Sequence, residues 1–287
     1  MRAAPLLKAR YRLFGLVRRT EQCAELRAKG ITPLPGDLDD PASLTRIVGL
    51  ADAVLHFAPP PSISPLTQGG REALGVDSRT QNLLAALSRG KLPKRFIYIS
   101  TSGVYGDCGG AQVSESHALN PQTARAQRRV DAEQQIRSWA KRNGVQASIL
   151  RVPGIYAADR LPLERLRAGT PAIAPFEDSY TNHIHADDLA CIVVAALRDA
   201  KPNRVYHTSD DSKMKMGEYF DVVADAYGLP RPPRLPRAEI ERTVSPALWS
   251  FMNESRRLTN ARMKTELKVK LRYPTVADAL EDITPRC

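Results

Sequence analysis

RFIYISTSGVYGD, residues 95–107, is the stretch that decides the fold. Its first five residues form an apolar run typical of a buried strand, and a small Ser/Thr cluster and Val104-Tyr105-Gly106 follow. Open α/β sheets bind their ligands at the carboxyl ends of the strands, where hydroxyl side chains can hydrogen-bond a substrate. By composition alone, the same pattern also describes a strand that ends in a turn.

Apolar runs and helical periodicity alternate on both sides of this stretch. Strands are predicted at 12–17, 31–34, 53–57, 95–99 and 147–152, and helices at 22–29, 74–88 and 125–142. Alternating strands and helices predict a parallel sheet with helices on both faces, and right-handed crossovers wind it doubly. The fold class is therefore α/β, with a Rossmann-type doubly wound parallel sheet.

The second half of the chain alternates less regularly. Helices are predicted at 162–169, 187–198, 216–227 and 257–267, a strand at 205–208, a Pro-rich spacer at 229–236 and a last helix from Tyr273. We divide the chain into an NAD(P)-binding Rossmann-like core at 1–155 and a mixed segment at 156–287. The mixed segment would complete the sheet and form a small α+β substrate cap.

The composition is that of an ordinary globular protein, with 43% hydrophobic and 25% charged residues. No run of about 18 apolar residues predicts a membrane span. The scattered Cys23, Cys108, Cys191 and Cys287 indicate reduced thiols, and the start does not read as a signal peptide, so we expect a cytoplasmic protein. The net charge is +11, but the basic residues are dispersed, which favours an anionic small ligand over nucleic acid.

Taken together, these motifs resemble the extended short-chain dehydrogenases, the NAD-dependent epimerase/dehydratase family. The Ser/Thr cluster followed by VYG is that family's pattern, and other matching stretches follow in family order across residues 12–280. They are GDLDDP at 36–41, DAVLHFA at 52–58, TQNLL at 80–84, LRVPGIY at 150–156 and HIHADDLA at 183–190. Each stretch is weak alone, but their shared order and spacing are specific.

The resemblance implies a nicotinamide cofactor, a small-molecule substrate and roles for individual residues. The implied cofactor contacts are Asp37, Leu38, Phe57, Ala58, Pro59, Asn82, Ser100, Pro153 and Ile155. The implied substrate contacts are Ser102, Tyr156 and Asn182, and Thr101 would orient the reacting oxygen. Many relatives pair through two long helices, which here would be 74–88 and 125–142, so we expect a monomer or a homodimer.

The first departure from the family pattern lies at the amino terminus. The family opens with a strand and a GxGxxG-type turn whose backbone approaches the cofactor pyrophosphate. Residues 1–12 instead resemble the back half of the first helix and run into the second strand. The missing first strand would leave its neighbours unpaired and apolar surface exposed. Two interpretations are open: a start assigned too far downstream, or a genuinely shortened protein that does not bind the cofactor.

The second departure lies at the catalytic Tyr and Lys, which share one helix face with an acidic residue. That register falls on Arg125, Arg129 and Glu133. Arginine stays protonated and cannot act as the base. Either the two arginines clamp an anionic group of the substrate, or the helix is a charged solvent-facing one with an Arg129–Glu133 pair. Tyr105 and Tyr156 are the nearest phenols for proton transfer.

Arg18 and Arg19 end the strand predicted at 12–17. In this fold an acidic residue at that point holds the ribose 2′-hydroxyl, whereas arginine accommodates a 2′-phosphate. We therefore expect NADP in preference to NAD, with NAD as the other possibility. The alternative is an exposed basic turn with no ligand.

His183 and His185 alternate on a strand just ahead of Asp187 and Asp188, a set that can ligate a metal. A carboxylate cap on the following helix is the simpler interpretation, so we expect no metal. His56, in mid-strand, is expected to be a packed core residue.

Three functional hypotheses follow. The first is an NAD(P)-dependent oxidoreductase or epimerase-like enzyme for a small, anionic or sugar-type substrate, with an atypical active site. The alternative is a non-catalytic NADP(H)-binding sensor or scaffold protein of the same fold, which the replaced Tyr and Lys favour. A basic nucleic-acid-binding protein is the third, and strong salt dependence of binding would identify it.

Overall fold

The structure, a computed structural model, describes residues 2–61 and 75–283. Its strands are β1 (Leu13–Val17), β2 (Ile31–Pro35), β3 (Ala53–His56), β4 (Arg95–Thr101), β5 (Gln112–Val113), β6 (Gln146–Val152), β7 (Gly154–Tyr156), β8 (Ala172–Ile173), β9 (Tyr180–Thr181), β10 (His183–His185), β11 (Arg204–His207), β12 (Met214–Lys215), β13 (Arg234–Leu235) and β14 (Arg257–Leu258). Its helices are α1 (Ala4–Leu7), α2 (Gln22–Ala28), α3 (Ser78–Leu87), α4 (Ala124–Asn143), α5 (Leu163–Arg167), α6 (Ala186–Asp199), α7 (Met216–Ala226), α8 (Arg237–Thr243), α9 (Pro246–Met252), α10 (Ala261–Glu266) and α11 (Val276–Ile283). The helix predicted at 74–88 starts at a residue outside the described ranges, and α3 is its described part.

The central sheet is parallel, in the order β11-β6-β4-β3. Successive side chains of a strand point to opposite faces of the sheet, so β4 packs against helices on both faces. Phe96 and Tyr98 pack on one face with α3 and α4, whereas Ile97 packs on the other with α6 and α10. Because both faces are covered, these strands read as continuous apolar runs. The predicted Rossmann-type fold class is confirmed.

β1 and β2 form a separate parallel pair, in which Leu13 lies opposite Ile31. In the described part of the chain, this pair is not hydrogen-bonded to β3, and the short α1 leads almost directly into β1. The sheet is therefore interrupted where the sequence predicts a missing strand.

The remaining strands are short pairs beyond the carboxyl ends of the central sheet. β7 pairs with β10, β8 with β13, β5 with β14, and β9 runs antiparallel to β12. The helix prediction at 257–267 was therefore wrong at its start, since 257–258 form β14 and α10 begins at Ala261. Pairing with β5, far away in sequence, overrides the local helical pattern.

The start of α6 also differs from the expected carboxylate cap. The N-cap residue is His185, whose side chain accepts a hydrogen bond from the backbone N–H of Asp187. Asp188 instead accepts hydrogen bonds from the backbone N–H groups of Arg272 and Tyr273, at 2.7 and 2.9 Å. Asp188 therefore ties α6 to the segment that leads into α11.

Gly106 ends the turn after β4 in a left-handed conformation, with φ at +63°. A Cβ atom at this position would collide with the backbone carbonyl oxygen of Asn120. We expect Gly106→Ala to lower the free energy of unfolding by about 2–4 kcal/mol, measured by urea denaturation. Gly109 is the matched control, because its φ is +58° but its Cβ would meet open space, so Gly109→Ala should cost about 1 kcal/mol. If both substitutions lowered the free energy of unfolding equally, a collision with the Asn120 carbonyl oxygen would not explain the loss at Gly106.

Candidate active site at the carboxyl ends of β3, β4 and β6

Thr101 is the last residue of β4 and lies half-buried at the rim of the sheet. Its Oγ1 accepts a hydrogen bond from the Gly103 N–H at 3.2 Å, which starts the 3₁₀ turn Ser102–Tyr105. Ser102 and Tyr105, the first and last residues of this turn, are buried. Of the three, Thr101 is the one that is partly exposed.

Arg129 cross-links the ends of two strands. Its Nη1 donates to the carbonyl oxygen of Ile99 at 2.7 Å and to the Tyr98 hydroxyl at 3.0 Å, with the Ala58 carbonyl oxygen at 3.5 Å. The guanidinium also lies over the Tyr98 ring, 5.5 Å from its centroid. Arg129 is therefore partly committed to holding β3 and β4 together.

Arg125 lies one turn earlier on α4 and faces the carboxyl end of α9 and the residues just after it. Its guanidinium lies over the Phe251 ring, 4.2 Å from the centroid. Partial burial lowers the pKa of Arg125, and the neighbouring Glu254 carboxylate raises it. Glu254 in turn accepts a hydrogen bond from Arg256 at 2.7 Å. A cation, an aromatic ring and a carboxylate thus lie together beside the amino end of α4.

Glu133 is buried and does not pair with Arg129. Its two carboxylate oxygens accept hydrogen bonds from Arg151 Nε at 3.1 Å and Arg151 Nη2 at 2.7 Å, and from Ser100 Oγ at 2.6 Å. The interpretation of this helix as solvent-facing with an Arg129–Glu133 pair was therefore wrong. A buried carboxylate needs full compensation, and the cation within β6 supplies it.

Arg151 also reaches Tyr105, one of the two predicted phenols. Arg151 Nη1 donates to the Tyr105 hydroxyl at 2.6 Å, and that hydroxyl lies 2.6 Å from His207 Nε2. His207 Nδ1 lies 2.9 Å from the Thr259 carbonyl oxygen, so it carries the ring proton and Nε2 accepts. Burial lowers the pKa of His207 to about 3 and raises the pKa of Tyr105 to about 12. Both groups therefore stay neutral near pH 7.

The implied substrate contacts beyond this turn are engaged with backbone groups. The Asn182 side chain donates to the Arg256 carbonyl oxygen at 2.9 Å and accepts from the Leu258 N–H at 2.8 Å. Tyr156 is buried, and its hydroxyl lies 3.4 Å from the Thr275 carbonyl oxygen. Nearby, burial raises the pKa of Asp210 to about 7. Contact of Asn182 and Tyr156 with a substrate stays a prediction.

The implied cofactor contacts gather at two places along the carboxyl edge. Asn82 Nδ2 donates to the Leu38 carbonyl oxygen at 2.7 Å, and Arg79 pairs with Asp39 and donates to the Pro59 carbonyl oxygen at 3.1 Å. The two clusters are as follows: Arg18, Arg19, Asp37, Leu38, Phe57, Ala58, Pro59 and Asn82 at the ends of β1, β2 and β3, and Ser100, Pro153 and Ile155 near the ends of β4 and β6.

Several of these residues have restricted exposure. Phe57 and Pro59 are exposed, whereas Ser100 is buried and its hydroxyl is bonded to Glu133. Ile155 packs partly buried against the α6 side of the sheet. The Arg18 guanidinium is exposed and 4.0 Å from Asp39. Cofactor contact by these residues stays a prediction.

Sequence reasoning missed Arg79, Arg151, Glu254 and His207. Arg151 alone left a local signal, as a charged residue inside the buried run ASILRV. A charge in such a run needs a buried partner, and the sequence does not say which acid supplies it. Arg79 lies in the predicted helix 74–88 and Glu254 lies outside the predicted elements, and in neither case does the local pattern indicate the partner.

The sequence model of the NAD dependent epimerase/dehydratase family matches residues 3–208. The chain belongs to this family. A dTDP-glucose 4,6-dehydratase of Mycobacterium tuberculosis is 25% identical over 207 residues, which cover 68% of this chain and 62% of the relative. The chain thus spans about six-tenths of that relative's length.

Two solved structures of similar fold cover nearly the whole chain. A functionally unknown conserved protein from Silicibacter pomeroyi DSS is 29% identical with a TM-score of 0.76, covering 99% of this chain and 93% of that one. A UDP-glucuronic acid 4-epimerase from Bacillus cereus, in complex with NAD, is 19% identical with a TM-score of 0.72, covering 99% and 95%. At 19% identity, the likeness to the Bacillus cereus epimerase shows a shared fold.

Residues 2–61 and 75–283 contain neither a metal-binding cluster nor a membrane-spanning helix. No group of three or more His, Cys, Asp or Glu side chains converges there to hold a metal ion. No helix in those ranges is long and apolar enough to cross a membrane. His183 is buried and its ring stacks on Tyr219 with centroids 4.1 Å apart, as a packed side chain does. His56 is also buried, and its Nε2 lies 3.0 Å from the Thr80 hydroxyl.

Removal of one partner of the buried pair should be costly. We expect Glu133→Gln to lower the free energy of unfolding by about 3–5 kcal/mol, because Arg151 then keeps a buried charge without its counter-charge. Urea denaturation measures this loss. The Arg231–Asp225 pair is the control, since both side chains are exposed, and Asp225→Asn should leave the midpoint nearly unchanged. If the two substitutions lowered the free energy of unfolding equally, the assignment of Glu133 as the buried counter-charge of Arg151 would be wrong.

Proposed function

We propose that this chain is an NAD(P)-dependent oxidoreductase or epimerase-like enzyme with an atypical active site. The observation that carries the proposal is the position of Arg129 at the carboxyl ends of β3 and β4, where Thr101 ends β4 and Arg125 lies one turn earlier on α4. That edge is where open α/β sheets bind ligands. Family membership and the named activities of the dehydratase and epimerase relatives support the same reaction class.

The residues at the ends of β1 to β3 suit the adenosine end of a dinucleotide. Asp39 is already paired with Arg79 at 2.6 Å, so Arg18, at 4.0 Å, keeps donors for a phosphate. Arg19 follows it on the same exposed turn. Two arginines at this point favour NADP, which carries a 2′-phosphate, over NAD. When bound, a nicotinamide cofactor accepts or donates a hydride.

Arg125 has a different role from the tyrosine that it replaces. A guanidinium keeps its charge and holds an anion through several N–H donors, but it does not remove a proton. We assign Arg125 to a carboxylate or phosphate group of a small, sugar-type substrate. Thr101, half-buried four residues before Tyr105, would donate its hydroxyl hydrogen to the reacting oxygen. Residues 156–287 complete the sheet through β11, and the rest of this segment would form the cap over this substrate.

A second candidate function is a cofactor-binding sensor or scaffold without turnover. It is favoured by the state of the two nearest phenols. Tyr105 is buried with its hydroxyl between Arg151 and His207, and Tyr156 is buried beside Asp210. Burial raises the pKa of both, so neither is poised to exchange a proton near pH 7.

Thermal unfolding with added cofactor tests the proposal directly. A ligand that binds only the folded state raises the melting midpoint by mass action. We expect a rise of about 2–4 °C with NADP(H) at roughly ten times its dissociation constant, and a smaller rise with NAD(H) at the same concentration. Arg18→Ala should remove the difference between the two. Absence of any shift with either cofactor would overturn the proposed function.

Arg125 should matter for turnover and not for cofactor binding. In steady-state assays across sugar nucleotides and small carboxylates, we expect Arg125→Ala to lower kcat/KM about 100-fold, because a charge-assisted contact is lost. Arg142 is the matched control, because it is an exposed arginine at the far end of the same helix. Arg142→Ala should leave kcat/KM unchanged. Cofactor binding without turnover of any substrate in the wild-type chain would favour the sensor function.

A further inference from the structure

The glycine at position 103 leaves an open space beside Thr101. A Cβ atom on Gly103 would lie 3.6 Å from Thr101 Oγ1 and 4.0 Å from Glu254 Oε2, and no described atom beyond the neighbouring residues would lie closer. These are ordinary contact distances, so an atom at this point touches the threonine hydroxyl and the glutamate carboxylate without a clash. We call this space between Thr101, Gly103 and Glu254 the Gly103 gap.

Glu254 is held in place against the turn that follows β4. Its side chain is buried, and its Oε2 accepts a hydrogen bond from Arg256 Nη1 at 2.7 Å. The same Nη1 donates to the Gly106 carbonyl oxygen at the end of that turn, at 2.6 Å. Among the described residues no donor bonds to Glu254 Oε1, so this oxygen keeps its capacity to accept a hydrogen bond.

Thr101 contributes a hydroxyl hydrogen to the other side of the gap. Its Oγ1 already accepts a hydrogen bond from the Gly103 N–H at 3.2 Å, so its own hydrogen stays available to a substrate oxygen. Arg125, in the register of the missing tyrosine, interacts electrostatically with Glu254. A hydrogen-bond donor and a carboxylate therefore border one space, with a cation close to the carboxylate.

Two other groups near the carboxyl edge that could accept a proton are already engaged. Glu133 accepts three hydrogen bonds from buried side chains. The Tyr105 hydroxyl lies between Arg151 and His207. Glu254, by contrast, combines a fixed position beside the gap with an oxygen that no described donor occupies.

We propose that Glu254 is the proton acceptor of this site and takes the hydrogen of a substrate hydroxyl that Thr101 holds in the Gly103 gap. In an oxidation, the substrate O–H bond breaks and its proton goes to Glu254 Oε1. The hydride on the same carbon leaves with its two electrons to the oxidised nicotinamide cofactor, and a C=O bond forms. In the reverse reaction Glu254 returns the proton. The inference rests on the proposed function, which supplies the hydride acceptor.

Glu254→Gln tests the proton transfer. Glutamine keeps an oxygen that can accept the hydrogen bond from Arg256, but the amide does not take up a proton. With NADP and the probes UDP-glucose, UDP-glucuronic acid and free glucuronic acid, we expect kcat/KM to fall about 100-fold to 1000-fold. The wild-type kcat/KM, measured from about pH 4 to about pH 9, should fall in acid as the carboxylate is protonated. The Gln variant should lose this acid limb, and Glu254→Asp should restore it.

Two further variants separate this role from a structural one. Glu266 also pairs with an arginine, Arg204, but at the amino end of β11, so Glu266→Gln should leave kcat/KM unchanged. Gly103→Ala keeps Glu254 and fills the gap, at a position without a positive φ and without a clash. It should leave the melting midpoint unchanged and lower kcat/KM at least about tenfold. The rise in melting midpoint with NADP(H) should persist in every variant, because Glu254 contacts the substrate and not the cofactor.

The possible failures can be told apart. An unchanged kcat/KM in Glu254→Gln, or a lowered kcat/KM that keeps the acid limb, would overturn the role of Glu254 and leave the proposed function standing. Cofactor binding without turnover of any probe by the wild-type chain would also overturn it, because no proton is then transferred. Absence of a cofactor-induced rise in the wild-type chain would instead overturn the proposed function, and the inference with it.

Discussion

The Glu133 carboxylate lies between α4 and the middle of the sheet. The arrangement of the site depends on the hydrogen bonds and the positive charge that balance this buried negative charge. It receives the two N–H groups of Arg151 from β6 and the Ser100 hydroxyl from β4. These contacts fix the rotation of α4 about its axis against two neighbouring strands. That rotation places Arg125 and Arg129, two turns and one turn earlier, at the carboxyl edge. A polar network of this kind specifies one arrangement because any other leaves a charge unpaired.

The two arginines on this face of α4 have different contacts. Arg129 is bonded to the end of β4 and lies near the end of β3, so part of its guanidinium serves the sheet. The Arg125 guanidinium instead lies over the Phe251 ring of α9 and near the Glu254 carboxylate, which follows that helix. The interpretation as a solvent-facing helix does not describe this face, and the ligand clamp stays a prediction. Spacing places side chains on one face, but the surroundings decide what each contacts.

The sequence predicts the central sheet well and the site only partly. β3, β4 and β6 were recognisable because strands covered on both faces give unbroken apolar runs. The VYG turn and its neighbours were recognisable by their family order. The pairing of Glu133 with Arg151 was not, because 18 positions separate the partners and neither segment indicates the other. β14 was missed for the same reason, since its partner β5 lies far away in the chain and outweighs local propensity.

The segment from Glu254 to Arg262 has a consequence for the order of assembly during translation. Arg256 donates to the Gly106 carbonyl oxygen at 2.6 Å, and Arg262 approaches Glu115 at 3.7 Å. The Thr259 carbonyl oxygen sets the tautomer of His207. The turn after β4 is therefore synthesised about 150 residues before the contacts that close around it. A nascent chain cannot complete these contacts before residues 254–262 have been synthesised, and contacts so distant in sequence form slowly.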